Sequence, residues 1–446
     1  MGRRSHSQTL ALWANGERVG RWTITARGDM ELQYDQAWTG SALGRPLSLS
    51  LPFDLGNEPL KGSNVEHYFE GLLPDSDSIR KRIATRFKTG SVEAFDLLRA
   101  VGRDCVGALQ LLEEGREPEG LDRVDGVPVD DEAIERHLLE VVSPERFGGN
   151  HDPDDDFRLS LAGAQEKDAF LWWDGRWLKP RGATPTTHIF KLPIGLVGGR
   201  QADFTTSVDN EWLCLKLLAA YGLPTADASI ATFGKQRVLV VERFDRSVGG
   251  GRLPIVRLPQ EDLCQATGTS PLLKYENQGG PGLDQLFTLL RQSMTPDADM
   301  KTVMASQIIF WMLRAPDGHA KNFSLRLLPG SRFRLTPMYD VMSAYPVLGR
   351  GPNKWARQDL KLAMALVGKN RHYHMESIKR RHFNSTAKKL GYGQDAEPLL
   401  KELTERTPGV VEAVRKNLPD GFPEQVADRV LSGLLDAAQA LARDAA

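Results

Sequence analysis

A run of polar residues follows directly after the most apolar segment of the chain, and its residue types and spacing suit phosphoryl transfer. The segment APDGHAKNFS, residues 315–324, continues from VMASQIIFWML. Asp317 and Asn322 stand in the order D-x4-N, in which a kinase loop supplies an aspartate that accepts the proton of the attacking hydroxyl and an asparagine that holds Mg²⁺. Asp340, at the exit of a predicted strand, offers a further carboxylate for the metal. Spacing alone supports catalysis and ordinary turn or cap roles about equally.

A lysine within an apolar strand is the next group that this chemistry needs. Lys191 lies in HIFKL, and a charged group among apolar neighbours is costly unless it is paired. Glu211, at the start of the following helix, is the expected partner, because protein kinases pair the lysine that contacts ATP with a helix glutamate. The alternative is that Lys191 extends from an edge strand to water.

Two further segments have the composition of nucleotide-binding loops. The chain lacks the GxGxxG and GxxxxGK[ST] patterns, but SLAGAQEK, residues 160–167, has small residues that let backbone N–H groups approach phosphate oxygens. VVERFD, residues 240–245, ends an apolar strand in a polar elbow that suits adenine binding through backbone groups and stacking on Phe244. Without the other segments, VVERFD indicates only the end of a strand. Zinc-ligand spacing and the GxSxG elbow are absent, which excludes a structural zinc site and a serine hydrolase.

The composition of the 446-residue chain is that of an ordinary globular protein. Hydrophobic residues make up 41%, and 57 Lys and Arg balance 58 Asp and Glu, which excludes disordered, collagen-like and coiled-coil classes. The near-zero net charge predicts that the chain alone binds DNA weakly. No apolar stretch reaches the ~20 residues of a membrane span. We therefore expect a cytoplasmic protein with no membrane partner.

Hydrophobic patterns place strands in the first part of the chain and helices in the last. Asn15-Gly16 and Asp174-Gly175 predict two-residue hairpin turns. PLSLSLP, residues 46–52, alternates as a half-buried strand does, and residues 209–221 predict a helix. This order is compatible with a two-lobed, protein-kinase-like fold of the α+β class. The predicted units are an N-terminal subdomain at 1–115, a linker at 116–135, the rest of the β-rich lobe at 136–259 and a helical lobe at 260–446.

Taken together, these segments resemble the HipA family of serine/threonine kinase toxins from bacterial type II toxin–antitoxin modules. The matching segments span almost the entire chain in the order found in the family. They include NVEHYFEGLLPDS, FDLLRAVGRDCVGALQLL, FRLSLAGAQEK, TPTTHIFKLPIG, VERFDR, RLPQEDLCQATG, YENQGGPG, DGHAKNFSL and LTPMYDVMSAYPVL. FRLSLAGAQEK, TPTTHIFKLP and DGHAKNFS are each long enough to be specific. One departure is Pro316, where relatives often have Thr before the catalytic aspartate.

The resemblance implies a role for each matching position. Asp317 would be the catalytic base, Asn322 and Asp340 would hold Mg²⁺, and Lys191 would contact the phosphates of ATP. Ser160 matches the serine that is autophosphorylated in the family, a modification associated with ejection of the phosphate loop and loss of activity. The implied nucleotide-binding positions are Ala162, Gly163, Ala164, Gln165, Glu166, Lys167, Lys191, Glu242, Arg243, Phe244, His319, Ala320, Lys321, Asn322, Tyr339 and Asp340.

The resemblance also implies a fold and partners. The family joins an N-terminal subdomain to a β-rich lobe and a helical lobe, and nucleotide binds between the lobes. Members bind a small helix-turn-helix antitoxin, HipB-like, and the complex represses its own promoter on operator DNA. The best-known substrate class is glutamate–tRNA ligase, whose phosphorylation stops translation and leads to growth arrest and persistence. Lys379, Arg380 and Arg381 are either DNA contacts within such a complex or a solvated helix face.

Two other functions stay open from the sequence. One is a catalytically idle co-repressor that serves as a scaffold for its antitoxin on DNA. The other is a small-molecule kinase, which would use the same D-x4-N arrangement on a different acceptor.

Overall fold

The computed structural model describes residues 6–142, 165–197, 201–249 and 251–444. Strands and helices are mixed along the chain, with strands predominating before residue 260 and helices after it. This arrangement confirms the predicted α+β class. In the described part of the chain, no helix is both long and apolar enough to span a membrane.

The N-terminal subdomain is a five-stranded antiparallel sheet with helices packed on it. Its strands are β1 (Gln8–Ala14), β2 (Glu17–Ile24), β3 (Met30–Tyr34), β4 (Leu60–Lys61) and β5 (Leu109–Glu113), in the order β4-β3-β2-β1-β5. Its helices are α1 (Gln36–Thr39), α2 (Ser63–Gly71), α3 (Asp77–Arg86) and α4 (Ala94–Val101). Trp22 stacks on Phe69 with ring centroids 3.8 Å apart and contacts Phe95, so one aromatic cluster joins the sheet to two helices.

The predictions for this subdomain had different outcomes. Asn15 and Gly16 both have positive φ, 52° and 86°, and join β1 to β2 as predicted. The strand predicted at 46–52 is wrong, because the segment forms turns. The side chains of Ser48 and Ser50 bond to the backbone oxygen of Gln265, at 3.0 and 2.6 Å, so the alternating serines serve contacts with the helical lobe.

The β-rich lobe is built on a six-stranded antiparallel sheet. Its strands and helices are β6 (Gly126–Pro128), α5 (Asp131–Val142), β7 (Lys167–Trp173), β8 (Arg176–Pro180), β9 (His188–Lys191), β10 (Gly195–Val197), β11 (Ala202–Phe204), α6 (Ser207–Ala220), β12 (Ala228–Phe233), β13 (Gln236–Glu242), β14 (Arg246–Val248) and β15 (Ile255–Arg257). The large sheet has the order β12-β13-β9-β7-β8-β6. The predicted linker at 116–135 contains regular structure in its second half, because β6 pairs with β8 and α5 begins at Asp131, and the predicted domain bounds stay a prediction.

The helical lobe surrounds one helix that is buried over more than half of its length. Its elements are β16 (Gln260–Asp262), α7 (Leu263–Ala266), α8 (Leu283–Leu290), α9 (Pro296–Leu313), β17 (Ser324–Leu328), β18 (Arg332–Leu335), β19 (Lys361–Val367), β20 (Arg371–His374), α10 (Arg380–Lys389), α11 (Glu397–Lys416) and α12 (Glu424–Arg443). Almost every residue of α9 from Val303 onward is buried, and the same hydrophobic core includes α6 of the β-rich lobe. The two lobes are therefore held by shared apolar packing.

Candidate active site

A cavity of about 570 Å³ lies between the lobes and the N-terminal subdomain. Most of the predicted site residues line it, although they come from chain segments that are far apart in sequence. The predicted residues in its lining are Gln165, Lys167, Lys191, Glu211, Glu242, Arg243, Phe244, Asp317, His319, Lys321, Asn322, Tyr339 and Asp340.

One lysine and two carboxylates form the charged centre of the cavity, and we call Lys191, Glu211 and Asp340 the open cluster. The last residue of β9 carries Lys191, whose Nζ lies 2.7 Å from Oε1 of Glu211 on α6 and 3.0 Å from Oδ1 of Asp340. Lys191 and Glu211 are buried, whereas the side chain of Asp340 is 31% exposed. The structure thus brings Lys191 and its predicted partner together, and the alternative of a lysine extended to water does not apply.

The two carboxylates compete for a single ammonium group. Burial by itself lowers the pKa of Lys191, but Asp340 and Glu211 raise it above its usual value. Burial raises the pKa of Glu211 to about 7, against the opposing effect of Lys191 and with the support of the Asp340 charge. The pKa of Asp340, which burial would raise, is lowered to about 2 by Lys191 and Lys167. Asp340 therefore keeps its negative charge at neutral pH, while Glu211 is poised to take up a proton.

The segment with Asp317 leaves α9 through a sharp turn. Arg314 ends the helix in the left-handed conformation, with φ 51°. A Cβ on Gly318 would lie 2.6 Å from the ring of Phe310, so only glycine fits there. The Asn322 side chain donates to the backbone oxygen of Asp317 at 2.7 Å. These constraints leave the side chain of Asp317 45% exposed at the cavity, where it can meet an acceptor hydroxyl.

Asn322 and Asp340 supply the oxygen atoms that a magnesium site needs. The amide nitrogen of Asn322 is used by Asp317, so its oxygen is the free end of the amide. Asp340 is held at φ +57°, a conformation that costs an L-residue about 1–2 kcal/mol. Among the described residues no group of three His, Cys, Asp or Glu forms a metal cage. This donor set fits Mg²⁺, which is commonly bound by one or two protein groups together with phosphates and water.

Tyr275, Lys274 and Asp75 also reach the cavity, although the residue patterns did not single them out. The Tyr275 hydroxyl donates to Oδ1 of Asp317 at 2.5 Å. Asp75, from the N-terminal subdomain, pairs with Lys321 at 2.6 Å and with Lys274 at 3.0 Å. Burial would raise the pKa of Asp75, but these two lysines lower it below its usual value. The sequence signal for them was the family resemblance of two segments. Asp75 lies in LLPDS, and Tyr275, which follows Lys274, begins YENQGGPG.

The predicted adenine elbow follows β13. The ring of Phe244 packs against Tyr339 with centroids 5.6 Å apart, and both line the cavity. Tyr339 donates to the backbone oxygen of Lys321 at 2.8 Å, which connects the elbow to the segment with Asp317. The backbone N–H of Arg243 is bonded to Thr187 and its guanidinium to Asp245, so this residue supports the elbow from within the protein.

Arg243 belongs to a second set of buried ions, which we call the closed cluster. It consists of Asp104, Arg243, Asp245, Arg246 and Arg257, each at most 7% exposed. Asp104 accepts from Arg246 at 2.8 Å and from Arg243 and Arg257 at 3.3 Å. Because Asp104 lies in the N-terminal subdomain, this cluster ties that subdomain to the elbow.

Several predicted contacts lie off the cavity or outside the described residues. Glu166 does not line the cavity, because its side chain pairs with Arg82 of α3. Ala320 is fully buried and also lies off the cavity lining, and its contact with nucleotide stays a prediction. The predicted phosphate-loop residues and the predicted autophosphorylation site lie outside the described residues, namely Ser160, Ala162, Gly163 and Ala164.

The predicted DNA-contact residues lie at the N-cap and first turn of α10, and none of them lines the cavity. Arg380 is 6% exposed, and its guanidinium bonds to Glu397 at 2.5 Å and to the backbone oxygen of Leu441 at 3.1 Å. These contacts leave it unavailable to a phosphate, and the prediction for Arg380 is corrected. Lys379 and Arg381 are exposed, and their contact with DNA stays a prediction.

Comparisons with known proteins cover nearly the whole chain. The family models of the HipA N-terminal domain and the HipA-like C-terminal domain match residues 10–112 and 159–411. The putative kinase Y4mE of Sinorhizobium fredii is 35% identical over 76% of this chain and 79% of its own length. The serine/threonine-protein kinase toxin HipA of Shewanella oneidensis is 27% identical over 75% of both chains.

A solved structure gives a match over an even longer part of the chain. In the complex of Shewanella oneidensis HipA, HipB and operator DNA, one chain matches with a TM-score of 0.76 at 22% identity, over 96% of each chain. This likeness confirms the predicted two-lobed, kinase-like fold with an added N-terminal subdomain.

Proposed function

The chain belongs to the HipA family, and from that premise we propose that it is a protein serine/threonine kinase and the toxin of a type II toxin–antitoxin module. The observation that carries the proposal is the cavity in which the Lys191–Glu211–Asp340 cluster faces the Asp317–Asn322 segment. A lysine for phosphates, two oxygen donors for a metal and an exposed carboxylate for a proton are the parts that phosphoryl transfer needs.

In this reaction the hydroxyl oxygen of the acceptor forms a bond to the γ-phosphorus of ATP, and the bond between that phosphorus and the β–γ bridging oxygen breaks. ADP leaves with the bridging oxygen, and the acceptor proton passes to the carboxylate of Asp317. Lys191, which is charged at neutral pH, binds the phosphate oxygens. Phe244 and Tyr339, whose rings pack against each other in a tilted arrangement at the elbow, hold the adenine end.

Asn322 and Asp340 are the residues that would hold Mg²⁺. The ion would supply positive charge that neutralises the phosphates as the bond to the leaving group breaks. Asp340 suits this task because its side chain is partly exposed and its pKa of about 2 keeps it ionised. The segment Asp317–Asn322 keeps the base and the amide ligand at a fixed separation through the bond from Asn322 to the backbone of Asp317.

The finer parts of the proposal come from the family resemblance. We propose that Ser160 is autophosphorylated and that this inactivates the enzyme, because about two added negative charges next to a triphosphate site repel nucleotide. The protein acceptor is proposed to belong to the translation machinery, with glutamate–tRNA ligase as the first candidate. A HipB-like antitoxin is proposed to carry the complex to operator DNA, by analogy with the assembly of the Shewanella oneidensis protein.

Incubation of the purified protein with Mg-ATP, followed by mass-spectrometric mapping of phosphate, tests the kinase proposal. We expect phosphate on Ser160 and, with a cell extract present, on a protein acceptor. Asp317→Ala is the matched control and should label neither. Label on a small molecule instead of protein would identify a small-molecule kinase, and absence of any ATP turnover would refute kinase activity altogether.

Expression in cells without an antitoxin separates the toxin from an idle co-repressor. Wild-type protein should arrest growth, and Asp317→Ala at the same expression level should not. Growth that is unaffected by the wild-type protein would favour the scaffold function.

A further inference from the structure

Asp317 makes a contact that the kinase chemistry itself does not require. The hydroxyl of Tyr275 lies 2.5 Å from Oδ1 of Asp317. Among the described residues, the second oxygen, Oδ2, receives no hydrogen bond, and the side chain is 45% exposed. The two oxygens of the carboxylate are therefore inequivalent before any acceptor arrives.

We propose that Tyr275 is a positioning residue for phosphoryl transfer, holding Oδ1 of Asp317 so that Oδ2 faces the acceptor hydroxyl and takes its proton. The inference rests on the proposed kinase function and deepens it. Tyr275 acts through Asp317 and transfers no proton itself: its own proton stays on the phenol. Burial and the charge of Asp317 both raise the pKa of Tyr275 above its usual value, which keeps the hydroxyl a donor at neutral pH.

The residues on both sides of Tyr275 anchor it to different parts of the molecule. Lys274 pairs with Asp75 of the N-terminal subdomain at 3.0 Å, and its backbone oxygen accepts from the N–H of Ala320 at 3.1 Å. Glu276 pairs with Arg371 on β20 and accepts from the backbone N–H of Ala365 on β19 at 2.5 Å. A side chain held from both neighbouring residues has little freedom to leave Asp317.

The surroundings of the Tyr275 ring support its role in positioning Asp317. The ring lies edge-on to His319, with centroids 5.0 Å apart, and Lys274 Nζ is 5.7 Å from its centre. A phenylalanine ring would keep these contacts and lose only the hydroxyl. Tyr275→Phe is therefore a specific test of the hydrogen bond.

The experiment measures the initial rate of phosphate transfer from Mg-ATP to the protein itself, over a range of ATP concentrations, for the full chain. Tyr275→Phe should lower the maximal rate about tenfold to a hundredfold, because a misplaced base loses part of the 10²–10⁴-fold that general-base catalysis contributes. The half-saturating ATP concentration should stay within about twofold, since Tyr275 does not hold the nucleotide. A purely structural role would change both quantities. Tyr392→Phe, which removes a hydroxyl outside the cavity lining, is the matched control and should match the wild type.

The outcomes separate this inference from the function on which it rests. A wild-type protein that transfers phosphate neither to itself nor to a protein acceptor in a cell extract overturns the kinase proposal. An active wild type with an equally active Tyr275→Phe overturns the role of Tyr275 alone. If Tyr275→Phe does not melt cooperatively, Glu276→Gln is the variant to measure. It keeps the Tyr275 hydroxyl but weakens the anchor to Arg371. Its maximal rate should fall several-fold, and its half-saturating ATP concentration should not change. An unchanged rate in that variant contradicts the inference.

Discussion

The closed and open clusters are both buried groups of ions, yet they differ in how their charges are satisfied. In the closed cluster, three arginines surround Asp104 and Asp245, and Asp104 also accepts from the backbone and hydroxyl of Thr186. Burial would raise the pKa of Asp104, but Arg246, Arg243 and Arg257 together lower it far below its usual range. Each carboxylate there has more donors than it needs.

The open cluster has the opposite balance. Lys191 forms ion pairs with both Glu211 and Asp340, and the two carboxylates have pKa values displaced in opposite directions. Asp340, the partly exposed carboxylate of this cluster, faces the cavity and remains ionised. The carboxylates of the closed cluster are thus fully paired inside the protein and support the fold, whereas the open cluster presents a partly exposed carboxylate to the cavity.

Removing a carboxylate from the closed cluster should have the largest effect on stability. Asp104→Asn leaves three buried guanidinium groups short of an acceptor, and we expect the free energy of unfolding to fall by about 3–5 kcal/mol. Urea denaturation measures this. The control is Asp428→Asn, whose exposed pair with Arg415 should contribute less than about 1 kcal/mol. Equal losses in the two variants would show that the closed cluster does not stabilise the fold.

The matching change in the open cluster should affect catalysis and spare stability. Asp340→Asn removes a proposed metal ligand, so the rate of phosphate transfer should fall about 10²–10³-fold, as on loss of one strong electrostatic contact to the transition state. Lys191 keeps Glu211 as its partner, and unfolding should change by less than about 1 kcal/mol. If Asp340→Asn stayed active but lost much of its stability, the open cluster would support the fold and not catalysis, which contradicts the prediction.

Removing the cation of the open cluster should have an intermediate effect. Lys191→Met leaves Glu211 without its partner, but that carboxyl can take up a proton near neutral pH instead of staying charged. We expect a loss of about 1–2 kcal/mol in unfolding free energy, smaller at pH 6 than at pH 8. Denaturation curves at the two pH values check this. A loss as large as that of Asp104→Asn, independent of pH, would contradict it.

The smallest expected effect is the change in stability over a single pH unit. Glu211 has its pKa raised to about 7, so the folded chain holds one proton more than the unfolded chain between about pH 4.5 and 7, and stability decreases as pH rises through this range. A single proton gives at most about 1.4 kcal/mol per pH unit. Asp104 has the opposite sign, with stability lost as pH falls below about 4. Subtracting the profile of Glu211→Gln isolates the slope, and coincident profiles would refute the assignment.

Local signals predicted part of this molecule correctly. Asn15-Gly16 tolerates positive φ and determines its own turn. The pairing of Lys191 with Glu211 follows from a strand and the next long helix, whose ends must be close in the folded lobe. The D-x4-N segment likewise contains the bond from Asn322 to the backbone of Asp317. In each case the two residues are close in sequence, or one of them carries a buried charge that is unfavourable without an oppositely charged partner.

Contacts between distant segments were beyond the reach of such patterns. Asp75 meets Lys321 only after the N-terminal subdomain docks on the helical lobe, and Tyr275 meets Asp317 across the end of α9. The leucine–serine alternation at 46–52 looks like a strand, but its serines bond to the backbone of α7. Arg380 appears in a basic run that suggests an exposed surface, yet Glu397 of α11 pairs with it. Tertiary packing decided each of these positions.

The assignment of this cavity as a kinase active site is tested by comparing nucleotide binding and phosphate transfer in two proteins, the wild type and Asp317→Ala. Asp317 contributes the base and does not belong to the open cluster, so both proteins should bind Mg-ATP with dissociation constants within about threefold of each other. Only the wild type should transfer phosphate, with the variant slower by about 10²-fold or more. Transfer by Asp317→Ala at the wild-type rate would contradict the assignment of this cavity as a kinase active site.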